Sequence, residues 1–137
     1  MCDFGFTRIR HDVTRTHTSI REGGRLRFLA PELSYGQGNF RTTTASDVYS
    51  LAMTFFYLST LCLPFEEYHS EWAAADAARG GLRPRGVDAP RFLAGCFRTL
   101  WDLMTMMWKQ DASARPAATA VTQQLQEILG TLICCTD

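Results

Sequence analysis

The chain has 137 residues, 46% of them apolar, with three Trp and nine Phe; this suffices for the core of one domain, leaves no room for two, and excludes a disordered tail. Fourteen Lys and Arg balance fourteen Asp and Glu, so net charge points to no nucleic-acid or membrane partner. The five cysteines, Cys2, Cys62, Cys96, Cys134 and Cys135, contain no Cys-x-x-Cys pair, which argues for reduced thiols in a cytoplasmic protein over a disulfide framework or a zinc site.

Residues 6–27 have little sustained periodicity, are rich in Thr, Arg and Gly, and carry the turn signal Gly23-Gly24. They read as a long loop, and such loops in compact domains are usually functional or mobile. Arg8, Arg10, Arg15, Arg21, Arg25 and Arg27 outnumber Asp3, Asp12 and Glu22 in this first segment, so the loop is basic and suited to receive a phosphate. Its hydroxyls Thr14, Thr16, Thr18 and Ser19 are loop residues first and phosphorylation candidates second. A second loop covers residues 34–45, with Gly36, Gly38 and Thr42-Thr43-Thr44.

Ser46 suits a helix N-cap and Asp47 the first turn, where a carboxylate meets the positive end of the helix dipole. That helix is expected to run to about Leu61 and stop before Pro64. Residues 48–65 carry no charge, a run long enough to be tested as a membrane span. Ser50, Thr54, Ser59 and Thr60 interrupt it, Pro64 closes it and no basic cluster flanks it. It therefore reads as a central helix of a water-soluble domain.

A further helix is expected after the cap residue Ser70, ending at Gly80-Gly81. Beyond an irregular connector over 83–90, Leu100, Leu103, Met104, Met107 and Trp108 recur at helical spacing and define an apolar stripe. The polar turn Lys109-Gln110-Asp111 and then Arg115-Pro116 lead into a last helix, where Val121, Leu125, Ile128 and Leu129 repeat that spacing. Trp101, Trp108, Met104, Met106 and Met107 are assigned to the core, and His11, His17 and His69 to solvent. No stretch alternates as a strand would. The fold class is mainly α, with two long loops at the front.

Several motifs fall in one order along the chain. Asp3-Phe4-Gly5 is followed by Arg27-Phe28-Leu29-Ala30-Pro31-Glu32-Leu33, then by Ser46-Asp47-Val48-Tyr49-Ser50 opening an apolar helix that ends in Leu63-Pro64-Phe65. Gly81-Leu82-Arg83-Pro84 comes next, and Leu100, Met104, Trp108, Asp111 and Arg115-Pro116 close the series. In this order the motifs resemble the second half of a protein kinase domain, and the pattern fits the tyrosine-kinase-like group best. The resemblance implies a partial kinase C-lobe: an activation segment over 1–33, helices F to I within 34–130, and a tail over 131–137.

The same resemblance assigns roles. Asp3 would hold magnesium against the phosphates of ATP, and Phe4 would pack on a helix of the N-lobe. Glu32 and Arg115 would form a buried, bidentate ion pair tying the activation segment to the last helices. Asp47 would accept backbone N–H groups of a catalytic loop. A complete parent would use ATP and magnesium to phosphorylate a protein Ser, Thr or Tyr.

The sequence holds no counterpart of the Gly-rich loop, the strand lysine with its glutamate partner, or the catalytic loop. The chain as given is therefore expected to be inactive and to bind neither cofactor alone, with a protein partner or substrate and no nucleic acid or membrane. The alternative is a non-catalytic kinase-like interaction module. Arg25 replaces a usual threonine, Ala52 a glycine and Ala112 a proline. Without the E helix that normally packs beside it, the helix at 48–61 is expected to expose apolar surface, which favours aggregation or partner binding.

Overall fold

The computed structural model describes residues 26–34, 42–85 and 96–134, with side chains in the last stretch described from 97 to 131. Two 3-10 turns, Leu26–Phe28 and Pro31–Leu33, precede helix α1 (Thr44–Thr60), helix α2 (Glu71–Arg79) and helix α3 (Cys96–Met107). A third 3-10 turn, Ala112–Ala114, leads into helix α4 (Ala118–Cys134). The described residues contain no strand, as the absence of alternation predicts. Helix α4 continues through Cys134, into the stretch assigned above to a tail.

Helix α1 starts earlier than its sequence suggests. Thr43, not Ser46, is the N-cap: its hydroxyl accepts from the Ser46 N–H at 3.1 Å, while Ser46 Oγ accepts from the Thr43 N–H at 2.9 Å. This reciprocal capping box satisfies two N–H groups, more than a lone Ser46 cap would. The helix ends where Leu61 turns left-handed (φ 59°) and Thr60 Oγ1 accepts from the Cys62 N–H at 3.1 Å.

Ser70 caps α2, accepting from the Ala73 N–H at 3.0 Å. At its other end Gly81, at φ 87°, donates to Ala78 O at 3.1 Å and Leu82 donates to Ala77 O at 3.0 Å. The sequence Gly80-Gly81 thus closes α2 as a Schellman motif, whose left-handed position a residue with a Cβ would strain.

The core lies on one face of α1. Val48, Tyr49, Ala52, Met53 and Phe56 are buried there against Leu103, Met104, Met107 and Trp108 of α3 and its end, and against Val121 and Ile128 of α4. Burying each large apolar side chain contributes roughly 1.5–3 kcal/mol. Trp101 and Trp108 meet edge to face at 5.5 Å, and Phe56 lies 6.3 and 6.4 Å from them. Helix α2 packs its alanine face on the two turns that precede α1.

One core assignment fails, since Met106 is 36% exposed, and Leu129 of the last helix's stripe is 57% exposed; each falls just outside the buried arc of its helix. The other face of α1 is open, with Leu51 and Leu58 at 38% and 63% exposure. No helix among the described residues is long and apolar enough to cross a membrane.

Candidate functional site

The Pro31–Leu33 turn is built for its place. Ala30 is fully buried, Pro31 supplies a pre-set φ at the first helical position where no N–H is needed, and Ser34 Oγ donates to Ala30 O at 3.3 Å. This geometry aims Glu32 at Arg115, 83 residues away in sequence. Arg115 Nη1 and Nη2 donate to Glu32 Oε1 and Oε2 at 2.7 and 2.8 Å. Its remaining N–H groups reach the carbonyls of Lys109 (2.8 Å), Ala45 (2.9 Å) and Gln110 (3.3 Å).

The pair is bidentate but unevenly buried. The Arg115 side chain is fully covered, whereas Glu32 keeps 35% of its side-chain surface exposed. Partial burial alone would push the Glu32 carboxyl up; its hydrogen bonds and the Arg115 charge outweigh that and hold it below the usual value.

Beneath the pair lies Tyr49, with no exposed surface. The Arg115 guanidinium sits 5.1 Å from its ring centre and Arg83 sits 5.7 Å from it. Burial raises the Tyr49 hydroxyl to about 12 against the opposing pull of these two cations, and the hydroxyl has no hydrogen-bond partner among the described residues. Arg83 is itself oriented by Gln110 Oε1 at 2.9 Å, and burial lowers its pKa. Gln110 in turn donates to Arg79 O at 2.9 Å. The motif residues Arg83 and Arg115 thus converge on one ring from α2's end and α4's start.

Asp47 stands in the first turn of α1, and no hydrogen bond to its carboxylate is found among the described residues. It is exposed as a residue, yet enough protein surrounds the carboxyl for burial to raise its pKa. Asp3, Phe4, Thr14, Thr16, Thr18, Ser19 and Arg25 lie outside the described residues. Among the described residues no group of three or more His, Cys, Asp or Glu could hold a metal ion. An open groove of about 550 Å³, lined by Phe56, Cys62, Leu63, Phe65, Glu66, Glu67 and Arg85, lies beside the end of α1.

In the sequence Arg27 stands only as one arginine of a basic loop and of the Arg27-to-Leu33 motif. In the structure it is 8% exposed and bonded to the turn after α1 and to Glu71. No local signal marks it, since its partners lie 37 to 44 residues away.

Comparison with known proteins agrees with this architecture. The family model for protein tyrosine and serine/threonine kinases matches residues 1–125. Stress-activated protein kinase alpha of Dictyostelium discoideum is 29% identical over 93% of this chain, and serine/threonine-protein kinase STY46 of Arabidopsis thaliana is 29% identical over 93%. The human proto-oncogene tyrosine-protein kinase ROS is 32% identical over 90% of the chain. The chain spans 20% of the length of each of the first two relatives and 5% of the third. Serine/threonine and tyrosine kinases both appear among them, so the match is to the family as a whole and resolves no tyrosine-kinase-like branch. With its landmarks in family order and a family match running from its first residue to residue 125, the chain belongs to the protein kinase family.

Proposed function

We propose that these residues form the C-terminal-lobe part of a protein kinase domain of the tyrosine-kinase-like group. In complete form that domain transfers the γ-phosphate of ATP, with magnesium, to a Ser, Thr or Tyr hydroxyl of a protein. The family match over residues 1–125 carries the kinase reading, the Glu32–Arg115 pair supports it, and the choice of group rests on the motif pattern alone. In the complete domain Asp3 is the magnesium ligand, and the basic loop bearing Thr14, Thr16, Thr18 and Ser19 is where an added phosphate would find arginines. The protein acts on protein partners in the cytoplasm.

The 137 residues alone are read as inactive. Phosphoryl transfer is achieved mostly by positioning and electrostatic stabilisation. This sequence offers Asp3 but no strand lysine and no catalytic-loop aspartate to position anything. The purified chain, incubated with magnesium, radiolabelled ATP and a generic acceptor protein, is expected to transfer no phosphate. Transfer that disappears on Asp3→Ala would overturn the inactive reading.

A second reading, a non-catalytic interaction module, is favoured by the open apolar face of α1 and the turn after it. Leu58, Leu61 and Leu63 are 63%, 79% and 45% exposed there. A monodisperse chain that binds one protein partner through this face, and loses it on Leu58→Lys, would favour the module.

A further inference from the structure

Arg27 crosses from the Leu26–Phe28 turn to the chain segment that follows α1. Its Nη1 donates to the carbonyls of Pro64 (3.1 Å) and Phe65, its Nη2 to Tyr68 O at 2.7 Å, and its Nε to Glu71 Oε1 at 2.7 Å. The acceptors sit on a turn with its own bonds: Glu66 N–H donates to Leu63 O at 3.1 Å and Tyr68 N–H to Phe65 O at 3.0 Å. Phe65 takes a left-handed φ of 57° and is 1% exposed, so packing holds its carbonyl inward.

Three convergent carbonyls and one carboxylate form a cage of acceptors. Glu71 Oε2 is buried without a partner among the described residues, so the cage offers more acceptor capacity than its occupant uses. A planar guanidinium can address acceptors in several directions at once, which a lysine ammonium on the same backbone cannot match.

We propose that the 64–71 turn is a guanidinium receptor filled in cis by Arg27, and that its occupancy docks residues 26–34 independently of the Glu32–Arg115 pair. The two anchors share no element beyond the docked segment. Arg27 reaches the turn ahead of α2, and Glu32 reaches the turn ahead of α4. Releasing one should free its own end of the segment and leave the helical core intact.

Amide hydrogen exchange on the full chain tests this. The informative protons are those of Leu29, Leu33 and Ser34, which donate to Leu26 O, Ala30 O and Pro31 O. Arg27→Ala should accelerate Leu29 exchange by about tenfold or more, while Leu33 and Ser34, at the end held by Glu32, and the amides of α3 and α4 keep wild-type rates, since local opening is separable from global unfolding. Methylguanidinium, at concentrations that leave wild-type exchange unchanged, should restore protection, and methylammonium should not.

Equal acceleration in α3 and α4 would reduce Arg27 to a general stabiliser and overturn the proposal. So would failure of methylguanidinium to protect, or equal protection by methylammonium. Should Arg27→Ala not fold, Arg27→Lys and Glu71→Gln are read the same way. Selective opening at Leu29 supports the receptor, and wild-type protection there, or equal opening at Leu33 and Ser34, overturns it.

Discussion

All five N–H donors of Arg115 have acceptors, two of them on Glu32 and three on backbone carbonyls. A buried guanidinium so arranged is costly to strand. Glu32→Gln leaves it facing an amide that cannot accept at both positions, and the expected loss of stability is about 3 kcal/mol. That sits at the low end of the range for broken buried pairs, because Glu32 is partly exposed. Urea unfolding of the variant beside wild type measures it.

The two carboxyls flanking this region have opposite pH linkage. Glu32 has a folded pKa below its ordinary 4.5, so its contribution is complete above that value and fades as pH falls through the folded pKa. Asp47 has a folded pKa above its ordinary 3.8. Its contribution is complete below 3.8 and is lost as pH rises through the folded pKa. Thermal melts across the acid range should show Glu32→Gln removing part of the acid-induced loss. Asp47→Asn should stabilise the protein at neutral pH and lose that advantage at low pH.

At the scale of elements, each helix owes its limits to hydrogen bonds made by a few residues. Thr43→Ala should cost about 1 kcal/mol, as N-cap losses typically do, and should fray only the first turn of α1, which amide exchange there reports. Ser46→Ala removes the other half of the box and is expected to act in the same direction. The exposed face of the same helix makes a different demand. Leu51 and Leu58 lie one above the other on it, and changing both to Gln should leave stability within about 0.5 kcal/mol while raising solubility. Light scattering against protein concentration, paired with thermal melts, checks both halves of that expectation.

Across the whole molecule, local patterning carried much of the fold. The spacing of Leu103, Met104, Met107 and Trp108 located a core-facing stripe, and Ser70 with Gly80-Gly81 delimited α2, because capping and helical periodicity are written within a few consecutive residues. The motif order likewise placed the chain in its family. Other features needed the tertiary structure. Leu129 continues the stripe of Val121 and Ile128 and is exposed, since periodicity gives the direction of a face but not how wide an arc a neighbouring helix covers. Thr43 displaced Ser46 as cap because both are competent and only the path of the incoming chain decides between them. Glu32 and Arg115 could be paired in advance only through the family pattern, and the uneven burial of the pair came from packing. Arg27 read as one more arginine of a basic loop. Its acceptors are mostly backbone carbonyls, which every residue possesses, so no side-chain pattern could announce a receptor that exists only once the turn after α1 has folded.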